Sequence, residues 1–408
     1  MAYLFVGAGQ AGGALVDAIF ANRSGSRLSP FSSDDVTTIG SPLVVNSTVR
    51  DLRNLRHVPE TNQYGIAEGA GVIEGTTPGF EEQVTGGFGR DPTEADRVMS
   101  EHSEGLEAAF DSVTGPDEEI QFAFLFLGLG GGTGCGIAPH IARRLTTYTQ
   151  GRVRTIAIAV LPNTTGTVGD DGDGVSAGRQ SWNARYGLDR LESEVDGIVL
   201  VDNQRVSLQA AMESQFAEYN EYVATGIHDL IVTPVLNSID PSTVEGVDTP
   251  DIDVKDIVTA LSFGVGDGGR KPGYAALGRS VTMTKSLPGY LLPLVGNKTV
   301  DGTALSRLAT RKATIADAPA EDATKGITLV RAPGNYVRSD SKGIQLRVIK
   351  EFLEGQCSLS EHNVGVSLHD RNLASVTTLL TYRREELDRL REIDEMAERY
   401  EAETEAIL

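Results

Sequence analysis

Gln121-Phe-Ala-Phe-Leu-Phe-Leu-Gly128-Leu-Gly-Gly-Gly-Thr-Gly-Cys-Gly136-Ile-Ala-Pro-His-Ile-Ala-Arg-Arg-Leu145 reads as strand, glycine loop and helix with no spacer between them. The apolar run Phe122 to Leu127 has the length and composition of a buried strand. Six glycines among residues 128–136 leave backbone amides uncovered, and the helix that follows turns its positive amino end toward whatever those amides surround. Such an arrangement cradles an anion, phosphate above all. A tight strand-to-helix turn without a ligand is the alternative, and the added hydroxyl of Thr133 favours the cradle.

At 408 residues the chain exceeds one compact core of usual size, so two domains are expected. Asp and Glu outnumber Lys and Arg 57 to 36, giving a net charge of −21, which argues against nucleic acid or an anionic membrane as partner. The first lysine is Lys255; an acidic, lysine-poor surface suits molar salt, where screening relieves self-repulsion, so a salt-adapted microbial source is expected. Cys135 and Cys357 form neither a disulfide framework nor a zinc constellation. With no basic leader and no long apolar span, the chain is expected to be cytoplasmic, without direct membrane insertion.

Outward from the glycine loop the α/β rhythm repeats. Tyr3 to Val6 predicts a strand, Gly7 to Gly13 a loop and Ala14 to Phe20 a helix, with Gly7, Gly9 and Gly12 spaced as G-x-G-x-x-G. A nicotinamide site would add an acid at the end of the second strand, whereas Pro42 to Val45 runs into Asn46-Ser-Thr48. Asn46 is read as the N-cap of a helix, residues 65–89 as a long glycine-rich connection, and residues 93–112 as an amphipathic helix. Arg154 to Leu161 and Gly197 to Val201 read as strands around a helix from Ser181 to Ser193, and a long helix spans about Val206 to Ile231. Alternating strands and helices predict a mostly parallel sheet with ligands at the strands' carboxyl ends. Farther on, Tyr274 to Ser286, Gly326 to Ala332 and Gln345 to Val348 read as strands, and Arg383 to Leu408 as a charged helix with Leu387, Leu390, Ile393 and Met396 at heptad-like spacing. That helix could pack on the body or on a partner.

A Walker A loop needs a lysine that the first 254 residues lack, so phosphate must be held by backbone amides, hydroxyls, a metal ion and helix amino ends. At these positions the chain resembles the tubulin/FtsZ superfamily of GTPases. Gly130-Gly-Gly-Thr-Gly-Cys-Gly136 matches the tubulin motif except at Cys135. Gly9-Gln10-Ala11-Gly12 resembles the first phosphate loop, Asn46 to Leu52 the second and Gly69-Ala-Gly71 the third. Trp182-Asn183-Ala184, Asp202-Asn203 and Phe216 to Asn220 follow in family order, and the short step from Asn203 to Asn220 is most similar to the archaeal CetZ branch.

The resemblance implies a Rossmann-like parallel-sheet GTPase domain (1–204), a long central helix (205–235), an acidic catalytic loop (236–256), a smaller C-terminal α+β activation domain (257–382) and a charged terminal helix (383–408) open to an adaptor. It implies phosphate contacts from Gly9, Gln10, Ala11, Gly12, Asn46, Gly71, Gly130, Gly131, Gly132, Thr133 and Gly134, and ribose contacts from Gln180 or Asn183. Asn203 and Asn220 would read the guanine edge and Phe216 would stack on the base, with GTP or GDP and Mg²⁺ as cofactors. Asp251-Ile-Asp253-Val-Lys-Asp256 is similar to the family loop that enters the next subunit's site, which makes Asp253 and Asp256 the catalytic acids and a head-to-tail homopolymer the partner. The function implied is a self-assembling cytoskeletal GTPase of cell shape or division. A GTP-binding regulator that polymerises poorly is the second reading, and an NAD-dependent enzyme a remote third.

Overall fold

The computed structural model describes residues 2–21, 40–84, 86–115, 119–164, 174–207, 212–236, 252–266, 269–285, 298–315, 318–337, 343–369 and 371–406. The chain begins with β1 (Ala2–Ala8), α1 (Gly9–Ala21), β2 (Gly40–Asn46), α2 (Val49–Arg53), β3 (Gln63–Ala67), β4 (Gly71–Glu74) and the one-turn α3 (Phe80–Gln83). It continues through α4 (Pro92–His102), α5 (Gly105–Val113), β5 (Ile120–Gly128), α6 (Gly132–Tyr148), β6 (Arg154–Leu161), α7 (Gly174–Leu191) and β7 (Gly197–Asp202). The second half holds α8 (Gln204–Ser207), α9 (Met212–Leu236), α10 (Val254–Leu261), β8 (Ser262–Gly266), β9 (Gly269–Pro272), β10 (Tyr274–Met283) and α11 (Gly302–Arg311). It ends with β11 (Lys325–Ala332), α12 (Gly334–Val337), α13 (Leu346–Gln356), β12 (Glu361–Leu368), β13 (Leu373–Tyr382) and α14 (Asp388–Glu405).

The expected mixed α/β architecture is present, and one 11-stranded sheet, ordered β12-β11-β13-β10-β7-β6-β5-β1-β2-β3-β4, runs through both halves. Strands β3, β2, β1, β5, β6 and β7 are parallel. The halves join where β10 pairs parallel to β7, Tyr274 opposite Ile198 and Ala276 opposite Leu200, before β13 returns antiparallel on its far side. Successive strand side chains point to opposite faces, so β5 feeds two cores: Ala123, Leu125 and Leu127 meet α4 to α7, while Phe122, Phe124 and Phe126 meet α1 and α9. Gly12 permits that second packing, because a Cβ there would lie 2.1 Å from the Phe126 carbonyl oxygen.

Buried charge fastens α9 to the C-terminal strands. The Asp229 carboxylate accepts from Arg279 Nε at 2.8 Å, Arg331 Nη1 at 2.7 Å and Thr377 Oγ1 at 2.8 Å. Burial opposes its charge, but the two guanidinium groups prevail and hold the carboxyl well below the usual range.

Several expectations need correction. Asn46 ends β2 rather than capping a helix; Thr48 is the N-cap of α2. The glycine-rich stretch 65–89 contains β3, β4 and α3, since its apolar positions pair as an antiparallel hairpin at the sheet edge. Gln345 to Val348 opens a helix, not a strand, because Leu346, Ile349 and Leu353 bury one face at helical spacing. The terminal helix packs on the body, burying Leu387, Leu390 and Ile393 in the core with Leu188 and Leu191. Among the described residues no helix is long and apolar enough to cross a membrane.

Candidate nucleotide site

The carboxyl ends of β1, β2, β5, β6 and β7 open onto a cleft of about 440 Å³. Its floor is the glycine loop. Residues Gly130 to Gly134 line it, and α6 starts inside it at Gly132 with no side chain capping the first turn, so those amides remain available to a ligand. Seventeen helical residues align their dipoles behind them. Helix α1 starts beside it: Gly9 has φ of 71°, and a Cβ there would lie 3.0 Å from the Gly134 nitrogen, so the two helix amino ends converge. Gln10 and Ala11 line the cleft, whereas Gly12 packs on β5 beneath it.

The segment after β2 forms one wall. Asn46 is buried, and its Oδ1 accepts from the Ser47 amide at 2.8 Å. The Ser47 and Thr133 hydroxyls are 2.7 Å apart, tying this wall to the glycine loop. Thr48 donates to Asp51 at 2.6 Å, and Asp51 is the one carboxylate among the described lining residues.

Gln180 on α7 and Asn203 after β7 line the opposite wall. Asn183 does not face the cleft. It is fully buried, and its Nδ2 donates to the carbonyls of Gly130 at 3.2 Å and Arg90 at 3.0 Å, which holds the glycine loop against residues 87–90. Those residues, from Gly87 to Arg90, line the cleft where the sequence had suggested Gly71. Gly71 instead begins β4 and lies against His102 at the end of α4. Asn220 sits half-buried on α9 outside the described lining; Phe216 belongs to the same helix, but its side chain, like Asp251 and residues 170–173, lies outside what is described.

The departure at Cys135 is a packing feature. Its buried Sγ donates to the Leu129 carbonyl at 3.1 Å and lies against Gly187 of α7, away from the cleft. Burial pushes the thiol far above its usual range.

Asp253 and Asp256 lie elsewhere. Asp253 Oδ1 accepts from the Asp256 amide at 3.0 Å, and Asp256 Oδ2 accepts from the Asp253 amide at 2.9 Å, a reciprocal cap on α10. Burial first, and the charge of Asp253 second, push the Tyr3 hydroxyl up to about 12, and Leu261 at the far end of α10 lies against Gly197, which opens β7. The cleft opens at the carboxyl ends of the parallel strands, and neither acid is among its described lining residues.

The residues fit a nucleoside phosphate: backbone amides, two helix dipoles, hydroxyls and side-chain amides converge, with no lysine among the described lining residues. Among the described residues no group of three or more His, Cys, Asp or Glu could hold a metal, so a cation here would be held by phosphate oxygens, water, the hydroxyls and at most Asp51.

Fold and cleft together define an α/β protein with an anion cradle at the ends of its parallel strands. Residues 3–210 match the Tubulin/FtsZ family, GTPase domain, and the chain belongs to that family. Its fold is similar to the GDP-bound monomer of CetZ1 from Haloferax volcanii at a TM-score of 0.70 and 20% identity, over 98% of this chain and 100% of that one. The GTPγS-bound protofilament of CetZ2 from the same organism gives 0.70 and 20% over 99% and 100%. The GTPγS-form protofilament of TubZ from Bacillus thuringiensis serovar israelensis gives 0.60 and 18% over 100% and 94%. No curated protein matches the chain.

Proposed function

We propose that this chain is a GTP-hydrolysing cytoskeletal protein whose catalytic site is completed between two copies stacked head to tail. Residues 1–204 hold the nucleotide, 205–235 form the central helix, 236–256 carry the acidic loop, 257–382 form the C-terminal part and 383–408 the terminal helix. The phosphates lie on the amides of Gly130 to Gly134 and the start of α1, with Mg²⁺ neutralising their charge; Gln180 serves the ribose side and Asn203, Asn220 and Phe216 the base. Asp253 and Asp256 of the next copy polarise the attacking water.

The observation that carries this reading is the separation of cleft and acids. Neither acid lines the cleft of its own chain, whereas stacking copies end on end would bring the acids of one over the cleft of another. A heterologous contact of this kind propagates into a filament. The protofilaments of the CetZ2 and TubZ neighbours support assembly into polymers.

The reciprocal cap favours a second reading, in which Asp253 and Asp256 only start α10 and the chain binds nucleotide without efficient turnover. GTP hydrolysis per chain, measured against protein concentration with Mg²⁺, separates the two. A rate that climbs with concentration supports the shared site; a flat line with nucleotide bound supports the regulator.

A further inference from the structure

The base-side turn of the cleft is held by a residue far outside the segment matching the GTPase domain. Arg389, in the first turn of α14, is 3% exposed and donates through Nε to Asp202 Oδ2 at 3.2 Å. Its Nη2 donates to the Pro162 carbonyl at 2.6 Å, and its Nη1 to Thr164 Oγ1 at 2.6 Å and Glu392 at 2.8 Å. Asp202 is fully buried, and its second oxygen accepts from the Gln204 amide at 3.0 Å. Asn203 lies between the two residues that this carboxylate binds together, with its own amide donating to the Leu161 carbonyl at 3.3 Å. Pro162, Asn163 and Asn203 all line the cleft.

We infer that Arg389 is a positioning residue for nucleotide recognition: the terminal helix fixes the turn that presents Asn203, and sets how well the cleft discriminates the guanine base. The inference rests on the guanine-nucleotide reading above. A buried carboxylate that loses its guanidinium partner retains a large desolvation cost, and the turn relaxes to bring it water or a new donor. A side-chain amide displaced by even part of an ångström no longer matches the base edge in both donor and acceptor roles. The terminal helix grips α7 as well, Trp182 Nε1 and Arg185 both donating to Glu401, so α14 spans from the base side to the helix that carries Gln180.

The test measures binding of GDP and of inosine diphosphate, which lacks the exocyclic amine, by titration calorimetry with Mg²⁺. It compares the unaltered chain, Arg389→Met and Ile393→Ala. Ile393 is buried one turn farther along the same helix and has no part in the Asp202 contacts, so its truncation loosens the helix without releasing the carboxylate. Arg389→Met is expected to bind GDP about tenfold more weakly and to lose most of its preference over inosine diphosphate, while Ile393→Ala keeps the preference. Unchanged GDP binding by Arg389→Met overturns the inference. Equal weakening of both nucleotides in both variants also overturns it, leaving Arg389 a fold contact. No GDP binding by the unaltered chain overturns the nucleotide reading and this inference with it. Should Arg389→Met fail to fold, the near-isosteric Asp202→Asn takes its place with the same expected loss of preference.

Discussion

Substituting Asp253 separates two roles that the same carboxylate could serve. It is exposed at the start of α10, an eight-residue helix, and accepts from the Asp256 amide at 3.0 Å. Asp253→Ala removes that cap and should cost about 1 kcal/mol of stability, within a range of roughly 0.5–2. Asp253→Asn keeps an acceptor oxygen in the same place, and asparagine caps as well as aspartate, so its cost should stay under about 0.5 kcal/mol, the residue of the lost charge near the helix amino end. Catalysis orders the variants differently. An amide cannot polarise water as a carboxylate does, so Asp253→Asn should hydrolyse GTP about 100-fold more slowly or worse, much as Asp253→Ala does. Denaturant unfolding gives the stabilities, and steady-state GTP turnover well above any assembly threshold gives the rates. A stable, inactive Asp253→Asn is the expected outcome. Asp253→Asn turning over at the unaltered rate would refute the catalytic assignment and leave Asp253 a helix cap.

Three further expectations concern glycine packing, pH and thiols. A Cβ at Gly131 meets nothing within 4 Å, so Gly131→Asp should fold yet abolish nucleotide binding by placing a carboxylate in the phosphate cradle, whereas Gly12→Ala, pressed on the Phe126 carbonyl, should cost about 3 kcal/mol; calorimetric binding and denaturant melts tell them apart. Burial, aided by the charge of Lys350, lowers the His362 pKa to about 4, so the unfolded chain takes up this proton first as pH falls. Stability from this group is therefore complete above about pH 6.5 and lost between there and about pH 4, by about 3 kcal/mol, and His362→Gln should flatten that decline in unfolding curves. Cys135 and Cys357 are both buried, with the Cys357 thiol pushed up to about 11, so neither should react with a thiol reagent at pH 8 until the chain is unfolded.

What could be read from the sequence was what is local. The strand Phe122 to Leu127, the glycine loop and the start of α6 are contiguous, and alternating apolar residues with glycine spacing carry their geometry directly. Gly130 to Gly134 were legible because they follow a strand directly, whereas Gln180 and Asn203, which also line the cleft, are named through the family resemblance. The wall at Gly87 to Arg90 was not, although its glycines stand out, because its place depends on Asn183 drawing the Arg90 carbonyl across 93 residues of chain. Asn183 enters as a ribose contact only through the family resemblance, and its carbonyl partners, Gly130 and Arg90, are distant in sequence. Strands β12 and β13 escaped notice since their pairing is non-local and part of their buried surface is Thr and Ser: Ser367, Ser375, Thr377, Thr378 and Thr381. Nothing in the heptad-like spacing of the terminal helix indicated that its Arg389 would reach Asp202, 187 positions earlier.

The central claim is that each active site is assembled from two chains, and complementation tests it most directly. One chain carries Asp253→Asn with Asp256→Asn, leaving its cleft intact; the other carries Gly131→Asp, leaving its acids intact. Each alone should be inactive. Mixed in equal amounts they should recover about a quarter of the unaltered GTP turnover, the share of random head-to-tail contacts that unite an intact cleft with intact acids. A mixture as inactive as its components, with the acid variant still binding GTP, would contradict the shared site.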